Sequence, residues 1–294
     1  MLTAVFVTLL WSSSWVFIKT GLSDIPALLF AGLRYFIAFL ILLPVAAFAN
    51  RRRTAGGMAA ALSRRHLPML LALGLVMYTL TQGAQFVALS LLPAQTTSLL
   101  LSFSPVLVAL LGIALLGERP GDRQWLGVIV YLVGAGIFLY PAEFPAGQLV
   151  GLAVALLGLL SNAGAAVLGR AVNRAAQLDA LSVTVVSMGI GSAVLVAAGL
   201  IFEGWPQFGP RAWLIILGLA LFNTALAFTL WNASQRVLTA MESSVINNTM
   251  LIQIALLAWL FLGEDLGPKE IVGLGLAAAG TLVVQLSRRS PASA

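Results

Sequence analysis

No cysteine occurs in the 294 residues, which excludes disulfides and thiolate metal sites as sources of stability or chemistry. Histidine is nearly absent too: His66 stands alone, in a basic stretch beside Arg64 and Arg65. A Ser/His/Asp set or a zinc cluster within an apolar segment is therefore excluded, and no metal or cofactor is expected. Charge is equally scarce. Asp, Glu, Lys and Arg make up 9% of the chain against 60% hydrophobic residues, too little polar surface for a water-soluble protein of this length. No P-loop sequence is present, so direct ATP drive has no support.

What the chain does have is long apolar runs. A hydrocarbon core about 30 Å thick takes ~20 helical residues to cross, and ten runs of that order can be read between charges, Gly and Pro. They extend from Leu2 to Ile18, Pro26 to Ala49, Leu67 to Leu92, Ala94 to Leu116, Trp125 to Pro141, Ala146 to Leu168, Asp179 to Phe202, Ala212 to Asn232, Ala240 to Leu262 and Pro268 to Leu286. The third and fourth are divided only by Pro93 and the polar Gln95, Thr96 and Thr97, which predicts a tight hairpin. The first has no basic residue before it and no small-residue cleavage site after it, so it reads as a retained membrane helix rather than a secretion signal.

Basic residues orient the chain. With the amino terminus in the cytoplasm, the inner segments carry Arg51, Arg52, Arg53, Arg64, Arg65, Arg119, Arg123, Arg170, Arg174, Arg236, Arg288 and Arg289, and the outer ones only Lys19, Arg211 and Lys269. This is the asymmetry of cytoplasmic loops, and Trp205 and Trp213 suit the interfacial belt. The net charge of +6 comes from these short tracts rather than a folded basic patch, so lipid head groups are the expected neighbours and nucleic acid is not.

The chain is also duplicated. Ala109-Leu110-Leu111 and Leu116-Gly117-Glu118 recur as Ala255-Leu256-Leu257 and Leu262-Gly263-Glu264, while Gly127 and Gly134 recur at the same offset as Gly273 and Gly280. Five spans per copy is an odd number, so the second copy enters the bilayer from the opposite side. The expected fold is all-α and integral to the membrane: ten transmembrane helices as two inverted five-helix repeats, 1–142 and 143–294, with both termini cytoplasmic. Inverted repeats are an architecture of transporters, because a two-fold axis in the membrane plane relates inward-open and outward-open arrangements of the same parts.

The run from Trp11 to Lys19 (WSSSWVFIK), Leu33-Arg34-Tyr35, Ser104-Pro105 and Leu116-Gly117-Glu118 resemble the EamA-type members of the drug/metabolite transporter superfamily. The resemblance covers nearly the whole chain, and it implies a ten-helix permease of the kind that exports amino acids or related metabolites. One departure is that Pro105 has Leu251 as its counterpart, just after Asn247, Asn248 and Thr249.

Candidate site residues follow from polarity inside the runs. Arg34 is the one formal charge well inside a span, placed either to attract a substrate carboxylate or to bond carbonyls and hydroxyls of neighbouring helices. Tyr78, Thr81, Gln82 and Gln85 fall at spacings of three and four, one stripe facing the bundle interior, where either cavity water or neighbouring helices would satisfy them. Trp15 with Ser12, Ser13 and Ser14, Ser98 with Thr97, Asn162, Asn223 and Asn247 extend the set to both halves. Phe228 and Trp231 share a helix face as an aromatic wall or as plain packing. Glu118 and Glu264, each after a Gly at a span end, read as helix-start partners rather than proton carriers.

No Asp or Glu lies deep in any span, which disfavours coupling by an embedded carboxylate and large organic cations as cargo. One buried arginine is too few for sugar phosphates. A small neutral or zwitterionic metabolite remains, moved by facilitation or exchange, most simply outward across a bacterial inner membrane. A lipid flippase, a sensor or scaffold, and a membrane-embedded enzyme are the rival readings.

Overall fold

The computed structural model describes residues 2–50, 61–104, 106–107, 121–140, 146–175, 178–234, 246–247 and 249–286. Among these every regular element is a helix, as hydrocarbon demands: a helix satisfies its backbone within one segment and leaves no edge to pair. The helices are α1 (Leu2–Gly21), α2 (Ala27–Asn50), α3 (Leu67–Leu91), α4 (Ala94–Leu101), α5 (Asp122–Leu139), α6 (Ala146–Ala175), α7 (Ala180–Phe202), α8 (residues 210–234), α9 (Met250–Leu262) and α10 (Pro268–Leu286). Among the described residues six stretches are long and apolar enough to cross a bilayer: α1, Ala27–Ala49, α3, α5, Gln148–Gly169 and α7. Pro210–Leu226 and Met250–Leu262 are shorter apolar helices. The fourth run is helical to Leu101 and turns at Ser102 and Phe103. Pro105, Glu118, Asn248 and the arginines Arg51, Arg52, Arg53, Arg119, Arg236, Arg288 and Arg289 lie outside the described residues.

The outward surfaces are apolar. Leu126, Ile129, Leu132 and Val133 on α5, Leu156, Leu157 and Leu160 on α6, and Trp259, Leu260 and Phe261 on α9 are all exposed, a pattern that suits lipid and would aggregate in water.

By their contacts the residues form two compact units, one of 17–90 and 153–227, the other of 1–16, 91–152 and 228–294. Each takes helices from both sides of the sequence duplication. In the first unit α2 and α7 run antiparallel at backbone contact. A Cβ added to Gly32 would fall 2.7 Å from Val196 N, and one on Gly199 2.8 Å from Leu29 N. Side chains larger than hydrogen would part these helices. Glu203, just past the end of α7, accepts from Leu28 N (3.0 Å) and Leu29 N (2.9 Å), so a carboxylate caps the positive start of α2.

The second unit repeats this plan. α5 and α10 are antiparallel, with Gly127 against Gly280 and Gly134 against Gly273. The duplication relates Gly127 to Gly273 and Gly134 to Gly280, whereas contact exchanges the partners, as happens when two like helices meet across a two-fold axis. Leu99, Tyr131, Phe138, Leu251, Ala255 and Leu274 form the adjoining apolar core. The Tyr131 hydroxyl donates to Leu99 O at 2.5 Å. Glu264 accepts from Ala94 N (2.5 Å) and Gln95 N (3.0 Å). It is a helix-start partner, as its position suggests, but the helix is α4 and not the α10 that follows it in the chain.

Candidate functional site

Two helices change register in mid-span. α3 is α-helical over Leu67–Gly74, π-helical over Leu75–Gln82 and α-helical again over Gly83–Leu91. α8 does the same over Pro210–Gly218, Leu219–Leu226 and Ala227–Ser234. Each π segment starts directly after a glycine, and each holds a threonine whose hydroxyl donates five residues back: Thr81 to Val76 O at 2.8 Å and Thr224 to Leu219 O at 3.0 Å. Such bulges displace backbone carbonyls from the helical ladder and concentrate at functional sites.

α2 meets both segments with consecutive residues. Arg34, 4% exposed, donates from Nε to Thr224 Oγ1 at 2.9 Å and from Nη2 to Asn223 O at 3.4 Å. Tyr35 donates from its hydroxyl to Gln82 Oε1 at 2.6 Å. Its ring lies 5.6 Å from that of Tyr78 and 5.2 Å from the Arg34 guanidinium carbon, within cation–π range. Thr79 ties the same π segment to α7 through Gly191 O at 2.9 Å. Four of the sequence candidates thus meet around Arg34 and Tyr35: Arg34 itself, Tyr78, the half-buried Gln82 and, through its backbone carbonyl, Asn223. Among the described residues no carboxylate pairs with Arg34. A buried cation without a counter-charge is costly and offers a fixed, water-poor seat for an anionic group.

Gln85 and Asn162 are half-buried in the same unit. In the other unit Phe228 and Trp231 both pack on Trp11, with ring centroids 5.5 Å and 5.1 Å away. Trp15 is buried, Asn247 is exposed, and Ser98 is buried with its hydroxyl on Gln95 O of its own helix at 2.9 Å.

Several further partners carry little signal in the sequence. Gln253 accepts from Ser12 Oγ at 2.9 Å and donates to Thr249 Oγ1 at 3.0 Å and Thr8 Oγ1 at 3.3 Å. A lone Gln between Ile252 and Ile254 was the available signal. Tyr35 stands in the Leu33-Arg34-Tyr35 motif, and Thr224 carries no signal beyond residue type. Gln95 is the opposite of Gln253: it is 2% exposed, and among the described residues neither side-chain amide atom has a hydrogen-bond partner. An unsatisfied buried polar group costs about 1–3 kcal/mol. Gln95→Leu is therefore expected to raise the melting temperature in detergent, and a lower one would mean that the amide is satisfied.

Polar side chains bonded to one another between long apolar helices define the class: a multi-pass helical membrane protein with a polar interior. The model of the EamA-like transporter family matches residues 1–140 and again 149–286, and the chain belongs to that family. It is 27% identical to the uncharacterized transporter YoaV of Bacillus subtilis (strain 168), over 95% of this chain and 94% of that protein. It is also 27% identical to a probable amino-acid metabolite efflux pump of Escherichia coli (strain K12), over 68% of this chain and 64% of that one. A solved crystal structure superposes with a TM-score of 0.68 at 18% identity, covering 97% of this chain and 96% of the other, a likeness of fold. Family and relatives point to a transporter rather than an enzyme.

Proposed function

We propose that this protein is a permease that exports a small, zwitterionic, amino-acid-like metabolite across a bacterial inner membrane by alternating access, through facilitation or exchange. The observation that carries the reading is Arg34, a buried guanidinium with no carboxylate partner among the described residues, held beside Tyr35, Tyr78, Gln82 and Asn223. A solute carboxylate pairs with this guanidinium, and the amides and the Tyr78 phenol supply hydrogen bonds to the rest of the solute. Gln85, Asn162, Ser98, Asn247 and the aromatics Trp15, Phe228 and Trp231 are proposed as further solute contacts, on the polarity and spacing that first marked them.

The proposed architecture is ten spans in two inverted repeats, 1–142 and 143–294, with cytoplasmic termini. Support comes from the antiparallel contact of like helices, α2 with α7 and α5 with α10, and from the two family matches. Parts related by a two-fold axis in the membrane plane have equivalent inward-open and outward-open arrangements, so a solute that binds both about equally is carried without consuming energy.

Counterflow in proteoliposomes, with a panel of labelled amino acids and with imposed pH or Na⁺ gradients, tests this. Exchange of at least one compound, unchanged by either gradient, is the expected result. Stimulation by a gradient would refute facilitation, and no exchange of any panel member by folded protein would refute the amino-acid-like substrate.

A further inference from the structure

We infer that Tyr35 and Thr224 are positioning residues that hold the two π segments in the register at which Gln82 and Asn223 are presented to the solute. This rests on the reading of those two residues as solute contacts given above.

The two π segments occupy corresponding places in the duplicated chain, each eight residues long and each preceded by glycine, at Gly74 and Gly218. A π turn is a poor resting state for a helix, because it inserts a residue into the ladder and loosens the packing along the axis; it persists where side chains hold it. Here the holders are visible. On α3 the hydroxyl of Thr81 follows the widened ladder to Val76 O, while Thr79 and Gln82 are tied to α7 and α2. On α8 the hydroxyl of Thr224 has two duties: it donates to Leu219 O inside the π turn and accepts from Arg34 Nε. Arg34 and Tyr35 are neighbours in sequence, so one turn of α2 fastens a π segment of each half.

The consequence is geometric. Each residue of an α-helix advances about 100° and 1.5 Å. Loss of the inserted residue from either ladder therefore swings everything on one side of it by about that angle relative to the other. Gln82 ends the first π segment and Asn223 lies within the second, so both side chains would be re-aimed relative to Tyr35 and Arg34. The two hydroxyls act on these amides through the backbone register. They would set solute affinity even if neither touches the solute.

Two conservative deletions separate this from a merely structural role. Tyr35→Phe removes the bond to Gln82, and Thr224→Val removes the hydroxyl shared by Arg34 and Leu219; Thr224→Ser restores it. In counterflow with the solute that the wild type exchanges, each deletion is expected to raise KM roughly three- to tenfold, the range for one lost hydrogen bond. Turnover per folded molecule should stay within about twofold, and Thr224→Ser should return KM to the wild-type value. Hydrogen–deuterium exchange in nanodiscs gives a second readout that needs no solute. Tyr35→Phe should speed exchange in residues 75–82, and Thr224→Val in residues 219–226, with α7 unchanged. Unaltered exchange in those segments, KM within twofold of wild type, or a KM rise that serine does not reverse would overturn the inference. No solute exchange by the wild type with any panel member, together with these segment-specific changes in deuterium uptake in the two variants, would refute the proposed substrate and leave the role of the two hydroxyls in holding the π segments standing.

Discussion

Gly134→Leu is expected to abolish accumulation of folded protein, while Gly136→Leu, two residues away on the same helix, leaves the fold intact. A Cβ on Gly134 would sit 2.5 Å from Ala277 N and 2.6 Å from Gly273 O. Both are backbone atoms of α10, which have no rotamer to escape into. The helices must separate instead, and every contact along α5 and α10 is stretched at once, including those of Tyr131 and Phe138 with Leu274 in the adjoining core. Overpacking a single well-packed site costs about 1–3 kcal/mol; here a rigid pair is displaced along its length, which puts the loss at or above that range. At Gly136 nothing lies within 4 Å of the added carbon, and leucine favours the helix over glycine by up to about 1 kcal/mol. Fluorescence-detected size exclusion and thermal melts on the two variants check the pair. Equal behaviour would mean that α5 and α10 do not meet at their glycines.

Arg34→Gln is expected to fold at least as well as the wild type and to lose transport. The guanidinium is buried without a carboxylate partner among the described residues, so removing it deletes a desolvated charge. Thr224 keeps its own bond to Leu219 O, and Asn223 O loses only a long one of 3.4 Å. Stability therefore holds or rises. Transport depends on the opposite term: a carboxylate paired with a buried cation forfeits about 2–5 kcal/mol when that partner is truncated, which is a fall in affinity of at least ~30-fold. Solute-induced thermal shift and counterflow on purified Arg34→Gln measure both sides. A variant that exchanges solute with unchanged affinity would reduce Arg34 to an interhelical strut.

Much of this molecule was legible before any coordinate. The apolar runs carry the helices because hydropathy acts on each segment separately, and Pro93 divides α3 from α4 because proline cannot continue a ladder. Arg34 was conspicuous as a charge among leucines and alanines. The α3 stripe was only half legible: Tyr78 and Gln82 do converge, but on Tyr35, and across a π turn that the ordinary 3.6-residue spacing does not describe. Gln253 and Glu203 are silent in the sequence because their importance lies in partners far away in the chain.

Composition, run length and repeat are properties of the chain read in order, and they suffice for the hydrocarbon medium, the apolar helices and the duplication. Which glycines touch, which helix starts Glu203 and Glu264 cap, and the reach of consecutive α2 residues to π turns in two other helices emerge from the packed fold alone. The physical reason is range. Periodicity reports neighbours within a turn or two, whereas these contacts join residues as remote as Arg34 and Thr224, and the packing of whole helices selects them.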